Sequence, residues 1–558
     1  MRPGWAERAL LGLILLVGAG LRLWLLLGPF SEIDADEAVV GLMALQMPGE
    51  LPAFYWQQEY LGTLEPLTAW LVFGLVGPSA AALKAVPALY SLLFVGLVYV
   101  VALPAFGRGP ALLAALYLAV PPSFFAAWSV KARGGYPEAL ALGMVCLLAA
   151  QRLVDAREQS RGGALTPDPS PTSGRGEKSA GAGAFSWALL FGVAAGLALW
   201  THPMAVIFVA AGALYILLSW RPWSNGRCLD GGRSWRPFLA AVALASLGGV
   251  VGLLPAVVHN VANGFPSLRF AFAGGTEPRA AILNLWGLVR YGLPVLVGLA
   301  EGTPTRELLL HDWPTRIGSS WLVTALLPLL GLGVVWWHRR ALVALVWGGG
   351  VPEAERAVAR RPALFLLVLL LMPPFIAVSR FANLWAEPRY ALPSYAAIPL
   401  VTAIIWAVRF RSRALVGGLA AGLLALNLFS LATSDYRLSL PVNAGESTAA
   451  SRAELIVALR TRGIDRIYTD YWLAYPIAFE SREGIIPSVW SGGFGRRAVY
   501  SHLVFTAPEP AFVFARETPG DLEFRTHLAE VRGSAEVAEI AVYRVYTSVE
   551  PLEQMRRP

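Results

Sequence analysis

Two cysteines in 558 residues, Cys146 in an apolar run and Cys228 in an Arg-rich loop, are too few and too far apart to make a disulfide framework or a thiolate metal site. Redox chemistry is therefore not expected. Charge is scarce too: Asp, Glu, Lys and Arg make up 15% of the chain, against 56% hydrophobic residues. Soluble globules carry about 25% charged residues. No Walker or Rossmann glycine fingerprint occurs, so no nucleotide site is expected. The first apolar run, 9–27, has no small-residue cleavage signal before the acidic stretch that follows, and is read as a retained helix.

What the chain does have is apolar length. A mean hydropathy of +0.55 and 20 Trp describe a polytopic membrane protein. Its net charge of +8 would suggest a nucleic-acid partner in a soluble protein. Here the arginines gather in short loops between apolar runs, so the charge reports topology and no nucleic acid is expected. Apolar runs occur at 9–27, 67–76, 85–106, 111–128, 139–153, 187–200, 204–220, 238–258, 320–337, 363–378, 390–408 and 414–431. The Arg-rich loops 151–178, 221–236, 338–340 with 353–361, and 409–413 are placed in the cytoplasm, as is the N-terminus with Arg2 and Arg8.

Parity then constrains the count. Four runs lie between an outer acidic loop at 29–64 and an inner loop at 151–178, so one of them does not fully cross. The 67–76 run is well below the roughly 20 residues a span needs and is assigned as a half-crossing or tilted helix. The total is about eleven spans, which sends the C-terminus outside. The Pro/Gly/Ser tract at 162–176 makes 154–184 a disordered cytoplasmic insert. A long external loop covers 260–319, and its 280–300 stretch, with Asn284, Arg290 and Glu301, is expected as an interfacial helix. Residues 1–433 thus form the membrane module and 434–558 a small extracytoplasmic α/β domain, with a helix at 450–460 and strands at 466–469, 511–515 and 540–546.

Directly after the first span comes Ser-Glu-Ile-Asp-Ala-Asp-Glu-Ala at 31–38, four carboxylates where a chain leaving a bilayer normally carries few. Ionisable groups near the membrane are costly and usually functional. Parity places Asp34, Asp36, Glu37, Glu59, Glu65, Arg133, His202, Glu387 and Arg389 on the outer face. Carboxylates can deprotonate an acceptor hydroxyl, while arginines bind phosphate oxygens in pairs. Together they suit transfer from a lipid phosphate.

The order of Asp36-Glu37-Ala38 after an apolar helix, Glu65-Pro66-Leu67 opening the next run, and Glu387-Pro388-Arg389-Tyr390-Ala391-Leu392-Pro393 opening a late span resembles the polyprenyl-phosphate-dependent glycosyltransferases of the GT-C fold. That group includes the protein O-mannosyltransferases and the bacterial lipid A aminoarabinose transferases. The resemblance covers 10–431. It implies a GT-C-like membrane fold, Asp36 as general base with Glu37 its partner, and Arg389 and Tyr390 near the lipid phosphate. Donor contacts are expected of Glu65, Arg133 and His202, and a divalent metal ion is an open cofactor. The partners implied are a polyprenyl-phosphate-linked sugar and a lipid, glycan or protein acceptor. The implied location is the inner (plasma) membrane, with an extracytoplasmic active site. The aminoarabinose transferases have Glu-Lys-Pro where this chain reads Leu64-Glu65-Pro66, so a lysine expected near the phosphate is missing there.

Each residue has a plainer alternative. The acidic group can cap a helix N-terminus, Glu65-Pro66 can simply start a helix, Arg133 can be a loop cation, His202 can sit satisfied at a helix break, and Arg389 can snorkel. At the level of the whole chain the alternative is a transporter or lipid flippase, which should show mid-span charges and related halves. A sensor protein would leave Asp36-Glu37 and Arg389-Tyr390 unexplained together.

Overall fold

In hydrocarbon every backbone N–H and C=O must be satisfied within the chain, so long apolar runs become helices. The structure is a computed structural model that describes residues 4–163, 173–220, 235–267, 269, 278–301, 311–347, 353–379, 388–436 and 447–556. Among the described residues ten helices are long and apolar enough to cross a membrane: Trp5–Leu27, Ala80–Phe106, Tyr136–Gln159, Gly183–Thr201, Pro203–Trp220, Trp235–Gly252, Ser320–Val346, Val358–Val378, Pro388–Phe410 and Arg413–Thr433. The expected polytopic helical fold with a C-terminal α/β domain is what is found. Ten such helices stand in place of about eleven, because the 111–128 run is broken. Its helix ends at Ala119, Pro121 and Pro122 withhold two backbone donors, and a separate turn runs Ser123–Trp128. Leu64–Val76 is a helix of 13 residues, short as expected.

Two further expectations need amendment. Helices continue to Gly163 and restart at Ser173, so both ends of the 154–184 insert are helical, while 164–172 lie outside the described residues. The 280–300 stretch is a helix, Pro278–Gly287, running into a π-helical turn, Leu288–Gly292. Asn284 and Arg290 are buried in it instead of facing water. Arg290 stacks 3.9 Å over Trp321 and donates to the His311 carbonyl at 2.5 Å, so packing and hydrogen bonds replace its hydration.

The chain divides into two compact units. The first holds Met1–Leu23, Pro87–Ser129 and Gly135–Ser434. Within it the helices Ser173–Thr201 and Trp235–Gly252 meet through Gly192, Gly196, Gly248 and Gly252, where an added Cβ would run into facing backbone. That four-residue spacing of small residues is how membrane helices approach closely. Arg22, fully buried in the first helix, donates to Ser91 Oγ at 2.8 Å and to the carbonyls of Ala119, Gly18 and Leu118 at 2.9, 3.2 and 3.2 Å. A charge inside a span is satisfied by the end of a short helix.

The second unit holds Trp24–Val86, Val130–Gly134 and Asp435–Pro558. It therefore takes in the first acidic loop and a five-residue loop from the middle of the chain, not only residues after 434. Its sheet has the spatial order Ile486–Ser491, Arg466–Asp470, Ala511–Ala515, Tyr543–Glu550, Ser534–Ile540. The first three strands are parallel and the last two antiparallel. Ile467, Val513 and Val545 point into a core closed by Leu455, Leu459 and Ile477. The expected strand at 540–546 is found in part: 543–546 open the strand Tyr543–Glu550, while Ile540 ends the preceding strand and Ala541, with a left-handed φ of 49°, reverses the chain between them. The helix Ala35–Gln46 lies against the helix Tyr471–Glu480, where a Cβ on Gly41 would meet Phe479 at 2.5 Å. Arg497 pairs with Glu50 at 2.7 Å and Arg452 with Glu32 at 2.9 Å, fixing the same contact at its ends.

Candidate active site

Asp34 caps the helix Ala35–Gln46: its Oδ1 accepts from the Glu37 amide at 2.9 Å, and Glu37 Oε2 accepts from the Asp34 amide at 3.1 Å. This reciprocal pair is a capping box. The cap role weighed for the whole acidic group thus falls to Asp34 and Glu37. Glu37 is fully buried, its carboxylate gripped by Lys84 Nζ at 2.5 and 2.6 Å and by the Ala132 amide at 3.1 Å. Such a carboxylate braces the site and has little capacity left for a substrate proton.

Glu65 is also fully buried. Its Oε2 accepts from Tyr55 Oη at 2.7 Å and from the Gly134 amide at 3.0 Å, so it ties the 54–62 hairpin to the 130–134 loop from the first turn of its helix. Gly134 and Gly135 have φ of 94° and 73°, a left-handed pair that only glycine adopts cheaply. The 130–134 loop that leads into this turn aims the Ala132 and Gly134 amides at two buried carboxylates, Glu37 and Glu65.

Asp36 is different. Its side chain is 21% exposed. Arg133 Nη2 lies 2.5 Å from Oδ2, Tyr471 Oη donates to Oδ1 at 2.5 Å, and Arg496 Nη2 lies 3.5 Å from Oδ1. Burial opposes its charged form, but the charges of Arg133 and Arg496 and the hydrogen bond from Tyr471 outweigh it. The carboxyl is held below its usual range. Lys131 Nζ and Arg133 Nη1 stand 3.8 and 3.6 Å from Asp34 Oδ2. Burial drives the Lys131 ammonium down to about 8, against the pull of Asp34. Asp34, Asp36 and Glu37 are each already matched by a protein cation. Among the described residues no group of three or more His, Cys, Asp or Glu is arranged to hold a metal ion. This donor set does not fit a divalent cation, and no step is routed through one.

His202, Arg389 and Tyr390 fall in the first unit. His202 opens a single turn, Pro203–Ala205, its Nδ1 accepting from the Met204 amide at 3.1 Å. Burial, then the Arg389 charge, push its imidazolium down to about 3, so the ring is neutral. A neutral ring with Nδ1 already engaged brings no charge to a phosphate. The ring lies 4.4 Å from Tyr136 and 6.1 Å from Tyr390. The Arg389 guanidinium sits 5.3, 5.4 and 5.8 Å from the rings of Trp128, Tyr390 and Tyr136. Glu59 lies on the strand Gln58–Gly62, and Glu387 and Cys228 are outside the described residues.

Sequence reasoning did not assign Lys84, Lys131, Tyr471 or Arg496 to the site. Lys84 is a lone charge one residue before an apolar run, and Tyr471 belongs to the Tyr-Thr-Asp-Tyr-Trp stretch at 468–472. Those were the available signals.

No family model matches the chain, and no curated protein matches it. Solved structures with similar folds include ArnT from Cupriavidus metallidurans bound to undecaprenyl phosphate, at 14% identity over all of both chains and a TM-score of 0.44. The apo form of that protein aligns over 94% of each chain at a TM-score of 0.41. The archaeal oligosaccharyltransferase AglB from Archaeoglobus fulgidus, in complex with an inhibitory peptide and a dolichol-phosphate, aligns at 12% identity with a TM-score of 0.47. That alignment covers 98% of this chain and 75% of AglB. These are loose likenesses.

Proposed function

We propose that the chain is an integral-membrane glycosyltransferase that moves a sugar from a polyprenyl-phosphate donor to an acceptor hydroxyl on the extracytoplasmic side, with Asp36 as the base. The observation that carries this reading is the contrast among the carboxylates. Glu37 and Glu65 are sealed, whereas Asp36 is partly exposed, kept ionised, and set in the first turn of the helix Ala35–Gln46, soon after a membrane-length helix. A carboxylate offers about four acceptor positions. Tyr471, Arg133 and Arg496 account for three, which leaves one for an acceptor O–H.

In the proposed step the acceptor oxygen attacks the anomeric carbon as the bond from that carbon to the phosphate oxygen breaks. The bonding pair leaves with the polyprenyl phosphate, the acceptor proton passes to Asp36, and the configuration inverts. A carboxylate with a depressed pKa is a weak base toward a free alcohol. It takes the proton late, once the forming bond has made the hydroxyl acidic. Arg133 is the cation that the donor phosphate would draw from Asp36, since its planar fork binds phosphate oxygens in pairs. Losing that partner strengthens the base when the donor arrives. Arg389 and Tyr390 are kept as candidate ligands of the lipid phosphate on the resemblance of their motif.

The test is transfer from a panel of radiolabelled polyprenyl-phosphate sugars in membranes, comparing the parent with Asp36→Asn at matched expression. Loss of transfer with donor binding retained supports the reading. Transfer unchanged in Asp36→Asn removes Asp36 as the base, and carboxylate-dependent lipid movement without sugar transfer favours the flippase.

A further inference from the structure

Two of the groups that touch Asp36 come from the C-terminal domain. Tyr471 follows the strand Arg466–Asp470, and Arg496 lies in the loop after the neighbouring parallel strand Ile486–Ser491. The carboxyl ends of adjacent parallel strands are where open α/β sheets place functional groups. We infer that Tyr471 and Arg496 are positioning residues for the Asp36 base, so that the C-terminal α/β domain is a working part of the acid–base site. This rests on the reading of Asp36 as the base.

The geometry is a closed chain of contacts. Tyr471 Oη donates to Asp36 Oδ1 at 2.5 Å and accepts from Arg496 Nε at 3.1 Å, and Arg496 Nη2 reaches the same carboxylate oxygen at 3.5 Å. The phenol therefore relays the guanidinium's pull onto the carboxylate. Arg496 is itself fixed: its amide donates to Tyr475 Oη and its guanidinium lies 4.9 Å from the Phe494 ring. Tyr471 sits at the start of a helix whose cap, Asp470 Oδ1, accepts from the Trp472 and Leu473 amides at 2.9 and 3.1 Å. Rigid support on both partners means that Asp36 is aimed by the domain. The loop at 492–495 contains three glycines, and Gly492 and Gly493, with φ of 76° and 158°, let the chain turn back beside Tyr471, where a Cβ on Gly493 would sit 3.2 Å from Tyr471 Cβ.

The other charges around Asp36 come from separate elements. Arg133 and Lys131 belong to the 130–134 loop, while Asp34 and Glu37 flank Asp36 on its own helix. Lys84 neutralises Glu37 directly, and Lys131 and Arg133 face Asp34. What remains to tune Asp36 is Arg133 from one side and the Tyr471–Arg496 relay from the other.

The experiment is hydrophobic-carbodiimide labelling of Asp36 in the full-length protein across pH, read by mass spectrometry, because the reagent attacks the protonated carboxyl. It is run on the parent, Tyr471→Phe and Arg496→Gln, with sugar transfer followed in parallel. Tyr471→Phe keeps the ring and its packing. The labelling midpoint is expected to rise in both variants, by about one pH unit or tenfold in proton affinity. The acid limb of kcat should move with it and the donor KM should stay unchanged. Midpoints that match the parent in both variants overturn the inference. A parent that transfers no sugar defeats the glycosyltransferase reading, yet the labelling still decides whether the domain sets the ionisation of Asp36.

Discussion

The surroundings of Asp36 and of Arg389 are built on opposite plans. Around Asp36, carboxylates and cations alternate at 2.5 to 3.8 Å, and each ionised group is held by another. Around Arg389 stand aromatic rings, Trp128, Tyr136 and Tyr390 within 5.8 Å, with a neutral His202 beside them. The first arrangement fixes charge and geometry at once and suits a group that must receive a proton. The second sets a cation among π faces beside a neutral imidazole, an arrangement that suits a planar guanidinium.

The contrast breaks most visibly at Asp36. Replacing it with Asn should cut transfer by about a hundred- to ten-thousand-fold, the usual value of a positioned base. The loss of its pairing with Arg133 and Arg496 should lower the unfolding midpoint only modestly, because these groups are partly exposed. The companion substitution, Lys84→Met, should do the reverse. It strands the buried Glu37 carboxylate, and breaking such a pair costs about 3–5 kcal/mol. The expected result is loss of folded protein, seen as a lowered unfolding midpoint in detergent, before any kinetic effect can be read.

A subtler effect is expected at Asp470, which caps the helix carrying Tyr471. Burial raises its carboxyl to about 6, against the two backbone amides it accepts. A carboxyl whose folded pKa lies above its unfolded value contributes stability below about pH 4 that is lost as pH rises through about 6. At pH 7 the parent therefore carries a charged buried cap. Asp470→Asn keeps an amide-accepting cap without the charge. It should stabilise the full-length protein at pH 7 by up to about 3 kcal/mol and match the parent below pH 4, as measured by unfolding at several pH values. The smallest effect falls on the aromatic site. Arg389→Lys keeps the charge but loses the planar face, and should raise the donor KM several-fold, about 1 kcal/mol, with stability unchanged. An equal loss from Arg389→Lys and Asp36→Asn would erase the distinction between the two sites.

What could be read from sequence followed range. Spans were legible because hydropathy is local, and the break in 111–128 was already written in Pro121-Pro122. The acidic motif was legible as well, but the roles within it were not. Burial separates Asp36 from Glu37, and nothing in two adjacent carboxylates says which one faces a lysine 47 residues onward. The lysine sought near Glu65 is absent there, whereas Lys84 and Lys131 bring positive charge to Glu37 and Asp34 from other parts of the chain. Tyr471 stands in a recognisable aromatic stretch at 468–472, but its place beside Asp36, like that of Arg496, depends on a pairing across hundreds of residues and could not be read. In the sheet, the strand Ile486–Ser491 was missed and the strand at 540–546 was drawn across a hairpin corner, because apolar alternation runs through a tight reversal unchanged.

The 435-residue separation between Asp36 and Tyr471 also sets an order of events during synthesis. Lys84 leaves the ribosome soon after Glu37, so the bracing carboxylate meets its counter-charge early. Tyr471 follows Asp36 by about 20 to 90 s at ordinary elongation rates of about 5–20 residues per second. Through that interval Asp36 lacks the phenol and guanidinium that contact it in the folded protein. The surroundings of Asp36 are thus completed only when the end of the chain has been made, whereas those of Glu37 are completed early.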